Sequence, residues 1–187
     1  MTVASAKLSA LEFLDLPEVQ AGDWLELVKG EVIVSPRPNR LHSFTGLMLS
    51  HILIGHIKAR QLGILYYELD TILDDDEVRV PDLLFYCAQR IPDARDTPND
   101  TVPDLCIEIL SPSNARTDRV EKFQLYQSKG VQHYWIVDPE ERTIEAYSLE
   151  GGRYVSTGRG AGDQVVMLPP FPTLEIPLAE LWHPQKP

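Results

Sequence analysis

The alternation of apolar and polar positions changes period several times along the chain, and each change predicts an element. Ser9-Ala-Leu-Glu12 has capping-box spacing and predicts a short helix over 9–16 that stops near Pro17. Trp24–Val28 and Glu31–Val34 flank the turn Lys29-Gly30 and read as a β-hairpin. Pro36 and Pro38 break the chain. Asn39 then caps a long helix to about Arg60, with Leu41, Phe44, Leu47, Met48, His51, Ile52 and Ile54 near helical period and Gly63 ending the element. Ile64–Leu73 and Val78–Tyr86 read as two strands of one hairpin around Asp74-Asp75-Asp76. Residues 87–103, rich in Pro and Asp, read as an irregular loop.

The second half is more apolar. Asp104–Leu110 is apolar around a single acid, as expected of a central strand buried on both faces. Asp118 and Glu121 have N-cap and N3 spacing, and Gly130 supplies a stop, so a helix is predicted over 118–129. Val131–Val137 reads as another buried strand. Thr143–Ser148 and Arg153–Thr157 form a hairpin through Glu150-Gly151-Gly152, and Val165–Trp182 reads as a short strand and a packed turn. The prediction is an α+β fold, α/β/α-like: a mixed β-sheet core flanked by a long helix and a shorter one, with extra β-hairpins. One domain is expected over 1–187, with its core at about 24–150 and a β extension over 151–182.

Charge narrows the function. The chain of 187 residues carries 17 Lys+Arg against 28 Asp+Glu, a formal net charge of −11. That balance argues against a protein that coats nucleic acid by bulk charge. It does not exclude an enzyme that uses acids to hold a metal. The stretch MTVASAKLSALEF lacks the basic and apolar regions of a secretory signal, and the apolar stretch Phe44–Ile57 is broken by Ser50, His51, Gly55 and His56. Cys87 and Cys106 form no CxxC pair, which suits two small hydrophobes in a reducing compartment. A cytoplasmic protein without a membrane span is expected.

Two acids sit where acids are costly. Asp82 lies in Val80-Pro-Asp-Leu-Leu-Phe85, and Glu108 lies in Leu105-Cys-Ile-Glu-Ile-Leu110. A buried carboxylate needs a partner, a proton or a metal. Two such side chains on one face of neighbouring strands can converge on one ion, and Mg²⁺ takes a few carboxylates plus water and phosphate oxygens. Lys122, one turn into the next predicted helix, can fold back beside them, and Phe123 and Tyr126 indicate that this helix is partly buried.

These residues carry a resemblance. Val80-Pro-Asp82-Leu, then Pro103-Asp-Leu-Cys-Ile-Glu108-Ile-Leu-Ser-Pro-Ser113, then Asp118, Glu121-Lys122, Tyr126 and Gly130-Val-Gln-His-Tyr-Trp-Ile-Val-Asp138-Pro resemble the Uma-two family of endonucleases. That family belongs to the PD-(D/E)XK, restriction-endonuclease-like superfamily. Lys29-Gly30-Glu31-Val-Ile-Val-Ser-Pro36, followed by His42, matches the family's opening, and the resemblance spans about residues 10 to 182. It implies a metal-dependent DNA endonuclease using Mg²⁺ or Mn²⁺. It implies Asp82 and Glu108 as metal ligands and Glu31 as the acid that completes the site. The superfamily's usual lysine is absent from Glu108-Ile-Leu110, and Lys122 matches a lysine supplied from the next helix. His42, Asp118 and Tyr126 match positions near the site. Arg116 and Arg119 are basic side chains for phosphate.

Other chemistries fit less well. His42, His51 and His56 lack the i, i+4 spacing of a zinc pair. Ser111-Pro-Ser113 is not a nucleophile elbow. Glu31 with Glu108 could be a glycosidase pair by residue type, but the tryptophans are scattered. The competing class is a non-catalytic binding or regulatory module on the nuclease fold, acting as a homodimer through the 87–103 loop and the apolar turn Leu168-Pro-Pro-Phe-Pro.

Overall fold

The computed structural model describes residues 7–94, 99–111 and 117–184. In chain order the elements are α1 (Ala10–Leu14), α2 (Pro17–Gln20), β1 (Leu25–Val28), β2 (Glu31–Val34), α3 (Arg40–Arg60), β3 (Gly63–Tyr67), β4 (Thr71–Asp74), β5 (Glu77–Arg79), β6 (Leu83–Cys87) and β7 (Leu105–Ile109). A π-helix over Thr117–Lys122 runs into α4 (Phe123–Ser128). β8 (His133–Asp138), β9 (Thr143–Glu150), β10 (Arg153–Ala161), β11 (Val165–Leu168), β12 (Phe171–Pro177) and a 3₁₀ turn (Leu178–Leu181) complete the chain. The fold is mixed α+β, as the sequence pattern predicts.

The chain divides into two compact units. The first takes residues 1–37, 70–80 and 92–102. Its sheet has the order β2-β1-β5-β4. Ser9 caps α1 with the predicted capping box, and Pro17, expected only to stop that helix, instead starts α2 at its first turn, where its missing N–H costs nothing. Ala10, Phe13, Leu27 and Val78 form the buried apolar centre. Beside it Arg79 is buried between Glu77 (Nη2 to Oε2, 2.9 Å) and Glu26 (Nη1 to Oε2, 3.5 Å). The second oxygens of those acids accept from the Lys29 and Val80 amides.

The second unit takes residues 38–69, 81–91 and 103–187. It holds a six-stranded sheet in the order β10-β9-β8-β7-β6-β3, with β7 and β8 parallel and the other neighbours antiparallel. β7 is central and every one of its residues is buried. Leu83, Phe85, Leu105, Ile107, Ile109, Trp135 and Val137 pack with Leu49, Leu53 and Ile57 of α3 and with the tail residues Leu168, Phe171 and Leu178. Each fully buried side chain of this kind contributes about 1.5–3 kcal/mol. Asn39 caps α3 as predicted, accepting from the His42 amide at 3.0 Å. The helix ends at Arg60 as expected, but its left-handed cap is Gln61 rather than Gly63, which instead opens β3. At Gly63 a Cβ would lie 1.9 Å from the Tyr86 carbonyl oxygen, so only glycine fits.

Two predicted elements differ. The hairpin over 64–86 is split: β3 pairs with β6 and β4 pairs with β5, in separate sheets. The break falls at Glu68, whose φ is +48°, and at Pro81, which cannot donate to a ladder. The predicted helix over 118–129 begins as a π-helix. Asp118 is fully buried inside it rather than serving as an exposed N-cap. Gly130 follows the helix with φ +78°, as expected of a stop. Both cysteines are free thiols, Cys106 buried and Cys87 half-buried. Among the described residues no helix is long and apolar enough to cross a membrane.

Candidate active site

The site lies within the second unit and is built from the β6–β7 register. Leu83 faces Ile107, Leu84 faces Cys106 and Phe85 faces Leu105. Asp82 immediately precedes β6, at the end of the ladder where Glu108 lies, and its carboxylate takes the Ile109 amide of β7. Alternation along β7 sends Ile107 and Ile109 into the α3 core and Glu108 to the other face.

Each carboxylate is held at both oxygens. Asp82 Oδ2 accepts from the Ile109 amide at 2.6 Å, and Oδ1 lies 3.1 Å from His42 Nε2. His42 reaches it from the first turn of α3, where the Asn39 cap fixes its backbone. Glu108, 1% exposed, accepts from the Tyr126 hydroxyl (2.6 Å to Oε1) and from Lys122 Nζ (3.0 Å to Oε2). Lys122 Nζ also lies 3.5 Å from Asp118 Oδ1. Asp118 and Lys122 are both buried, four residues apart on the π-helix, while Val120 and Glu121 are exposed. The Asp118 carbonyl accepts from the Tyr134 hydroxyl at 3.0 Å, which ties this turn to β8. A π-helical segment inside a helix is a frequent mark of a functional site.

The electrostatics are those of crowded, buried acids. Burial pushes the Glu108 carboxyl well above the usual range, and the negative charges of Asp118 and Asp82 add to the effect. Lys122 and the Tyr126 hydrogen bond oppose it. Burial disfavours a charged His42, but the hydrogen bond to Asp82 and the charges of Asp82, Glu68 and Asp118 outweigh it, so its pKa is raised. The donor set of Asp82 and Glu108 is all oxygen, the kind Mg²⁺ takes when it binds through one or two carboxylates plus water and substrate phosphate. Among the described residues no three His, Cys, Asp or Glu side chains are grouped to hold an ion.

The structure thus brings together Asp82, Glu108, Lys122, His42, Asp118 and Tyr126. Glu31 is exposed on β2 of the first unit. Arg119 bonds Glu145 (2.6 Å) and Asp138 (3.5 Å), locking the π-helix onto β8 and β9. Arg116 and Ser113 lie outside the described residues. Glu68 was missed by the sequence reading. It follows β3 in the left-handed conformation, which costs a non-glycine residue about 1–2 kcal/mol. The one available signal was an acid closing an apolar strand, Ile64–Tyr67.

The sequence model of the Uma2 family, described as "Putative restriction endonuclease", matches residues 10–179. The chain belongs to the Uma2 family. Two uncharacterized Synechocystis sp. proteins are similar to it. One, slr1290, is 29% identical over 75% of this chain and 74% of its own length. The other, sll1609, is 30% identical over 82% of this chain and 88% of its own length. A solved Anabaena variabilis structure, described as a putative nuclease belonging to DUF820, superposes with a TM-score of 0.75 at 26% identity, covering 94% of this chain and 97% of that one. Uma2 membership agrees with the resemblance read from Asp82, Glu108 and Lys122, and the solved neighbour agrees with the mixed α+β fold.

Proposed function

We propose that this Uma2 protein is a DNA endonuclease that hydrolyses phosphodiester bonds with Mg²⁺ or Mn²⁺ held by Asp82 and Glu108. The observation that carries the reading is the carboxylate pair itself: two buried acids, Glu108 on β7 and Asp82 at the start of β6 with its carboxylate on the Ile109 amide, and Lys122 on one of them. A lone buried carboxylate is expensive, and here four acids, Glu68, Asp82, Glu108 and Asp118, meet the cationic groups of Lys122 and His42. A divalent cation fits that excess of negative charge and, when bound, supplies polarisation of a phosphoryl oxygen and a lowered pKa for water. Asp82 and Glu108 bind it, fixed by His42, the Ile109 amide and Tyr126. Lys122 stabilises negative charge that develops on the phosphoryl group. No covalent enzyme intermediate is required.

A second reading has its own observation. All four oxygens of Asp82 and Glu108 already have partners within the protein. Such a closed network suits a nuclease fold kept as a binding or regulatory module. One assay separates them: cleavage of linear, supercoiled and single-stranded DNA across a Mg²⁺ and Mn²⁺ titration, with Asp82→Asn, Glu108→Gln and Lys122→Ala. Metal-dependent cleavage by the wild type that all three variants lose supports the nuclease. Wild-type protein inert on every substrate, or variants as active as wild type, supports the module.

A further inference from the structure

A further acid lies beside Asp82. The β3–β6 ladder ends at the Tyr67–Leu83 pair, and just beyond it the Glu68 amide donates to the Asp82 carbonyl at 3.2 Å. Glu68 holds this place in the left-handed conformation. Lys122 lies on Glu108, whereas Glu68 lies next to Asp82. Glu68 Oε1 is buried with no hydrogen-bond partner among the described residues. An acceptor buried without a donor is a rare and costly arrangement. The backbone hydrogen bond to Asp82 puts Glu68 next to the Asp82–His42 pair.

We propose that Glu68 accepts a hydrogen bond from the attacking water and orients it toward the phosphorus, an inference that rests on the endonuclease reading above. In the step, the water oxygen forms the new P–O bond as the scissile P–O bond breaks. The water proton passes to solvent, and the leaving oxygen takes a proton from solvent. Glu68 is neither a metal ligand nor consumed. The labour is divided: Lys122 serves the charge that develops, and Glu68 serves the nucleophile.

The test compares Glu68→Ala and Glu68→Gln in the full chain by steady-state cleavage and by Mn²⁺ calorimetry, with circular dichroism to verify folding. Misplacing a nucleophile costs about 100-fold, so Glu68→Ala is expected to lose about that much kcat while KM for DNA and Mn²⁺ affinity stay near wild type. Glu68→Gln keeps an acceptor oxygen and is expected to recover about tenfold over the Ala variant. A Ca²⁺-loaded crystal of the wild type is expected to hold a water within about 3 Å of a Glu68 carboxylate oxygen. Cleavage by Glu68→Ala at the wild-type rate overturns the proposal, as does a crystal without that water. Equal loss of Mn²⁺ affinity in both variants also overturns it, by making Glu68 a ligand. If Glu68→Ala does not fold, Glu68→Gln decides: a kcat loss at unchanged Mn²⁺ affinity supports the role, and an unchanged kcat together with no crystal water removes it. Wild-type protein that cuts no DNA overturns the endonuclease reading and this inference together, whereas an active wild type with an equally active Glu68→Ala overturns this inference alone.

Discussion

Lys122 reaches Glu108 from a π-helical turn, with Nζ 3.0 Å from Oε2 and both side chains buried. Removing one member of a buried ion pair strands the other's charge. Lys122→Ala is expected to cost about 3–5 kcal/mol in urea unfolding, besides abolishing cleavage. Stability within about 0.5 kcal/mol of wild type, the range of an ordinary surface change, would show that Glu108 is protonated or solvated without it.

Glu108→Gln is expected to separate stability from activity. The amide oxygen still accepts from Tyr126, Lys122 keeps Asp118 Oδ1 at 3.5 Å as its counter-charge, and the buried charge that Asp82 and Asp118 disfavour is gone. The melting temperature at neutral pH should equal or exceed that of wild type while metal-dependent cleavage disappears. A melting temperature several degrees lower would mean that the Lys122 pair outweighs the burial of the charge.

The pH dependence has a defined sign. Burial raises Glu108 well above 4.5, and Asp82 with its neighbours raises His42 above 6.5. Their protonated forms favour the fold. This contribution is fully present below those unfolded values and is lost as pH rises through the higher folded ones. The urea midpoint of metal-free protein should therefore fall between about pH 5 and pH 8, and Glu108→Gln should flatten the slope. Mg²⁺ needs the deprotonated carboxylates, so its stabilisation should be larger at the upper end of that range. A Glu108→Gln profile parallel to wild type would locate the slope elsewhere.

Tyr126→Phe removes a short hydrogen bond to a buried carboxylate, 2.6 Å from hydroxyl to Oε1. A hydrogen bond to a charged group is worth about 1.5–3 kcal/mol. The variant should lose roughly that in chemical denaturation. An unchanged midpoint would mean that a water takes the hydroxyl's place.

In the first unit, Arg79→Met leaves Glu26 and Glu77 buried without their guanidinium. A loss of about 3–5 kcal/mol is expected. The triple replacement Glu26→Gln, Glu77→Gln, Arg79→Met should recover much of it, because no buried charge is left over. A triple variant as unstable as Arg79→Met would show that packing of the arginine stem, not charge, carries the effect.

Much of this was legible in the sequence because the signals are local. Ser9 and Asn39 cap helices through atoms three residues away, and β7 announces itself as an apolar run with one acid inside. The same run made Glu108 conspicuous, and the Val80–Phe85 run did so for Asp82. What stayed hidden depends on long-range geometry. The π-helix that carries the buried Asp118 and Lys122 is encoded by no propensity, and a capping-box spacing stood in its place. The split of the 64–86 hairpin falls at a glutamate held at positive φ, between strands that pair in separate sheets. Glu68 meets Asp82 through a backbone hydrogen bond between distant positions, which sequence spacing alone does not specify.

The Asp82–Leu83 junction has a consequence for how this chain can vary. Leu83 enters the α3 core, while Asp82, one residue earlier, takes the Ile109 amide and pairs with His42. Slipping β6 by one residue against β7 would exchange its two faces and pull the Asp82 carboxylate off that amide. One register error would therefore cost the core and the carboxylate's anchor together.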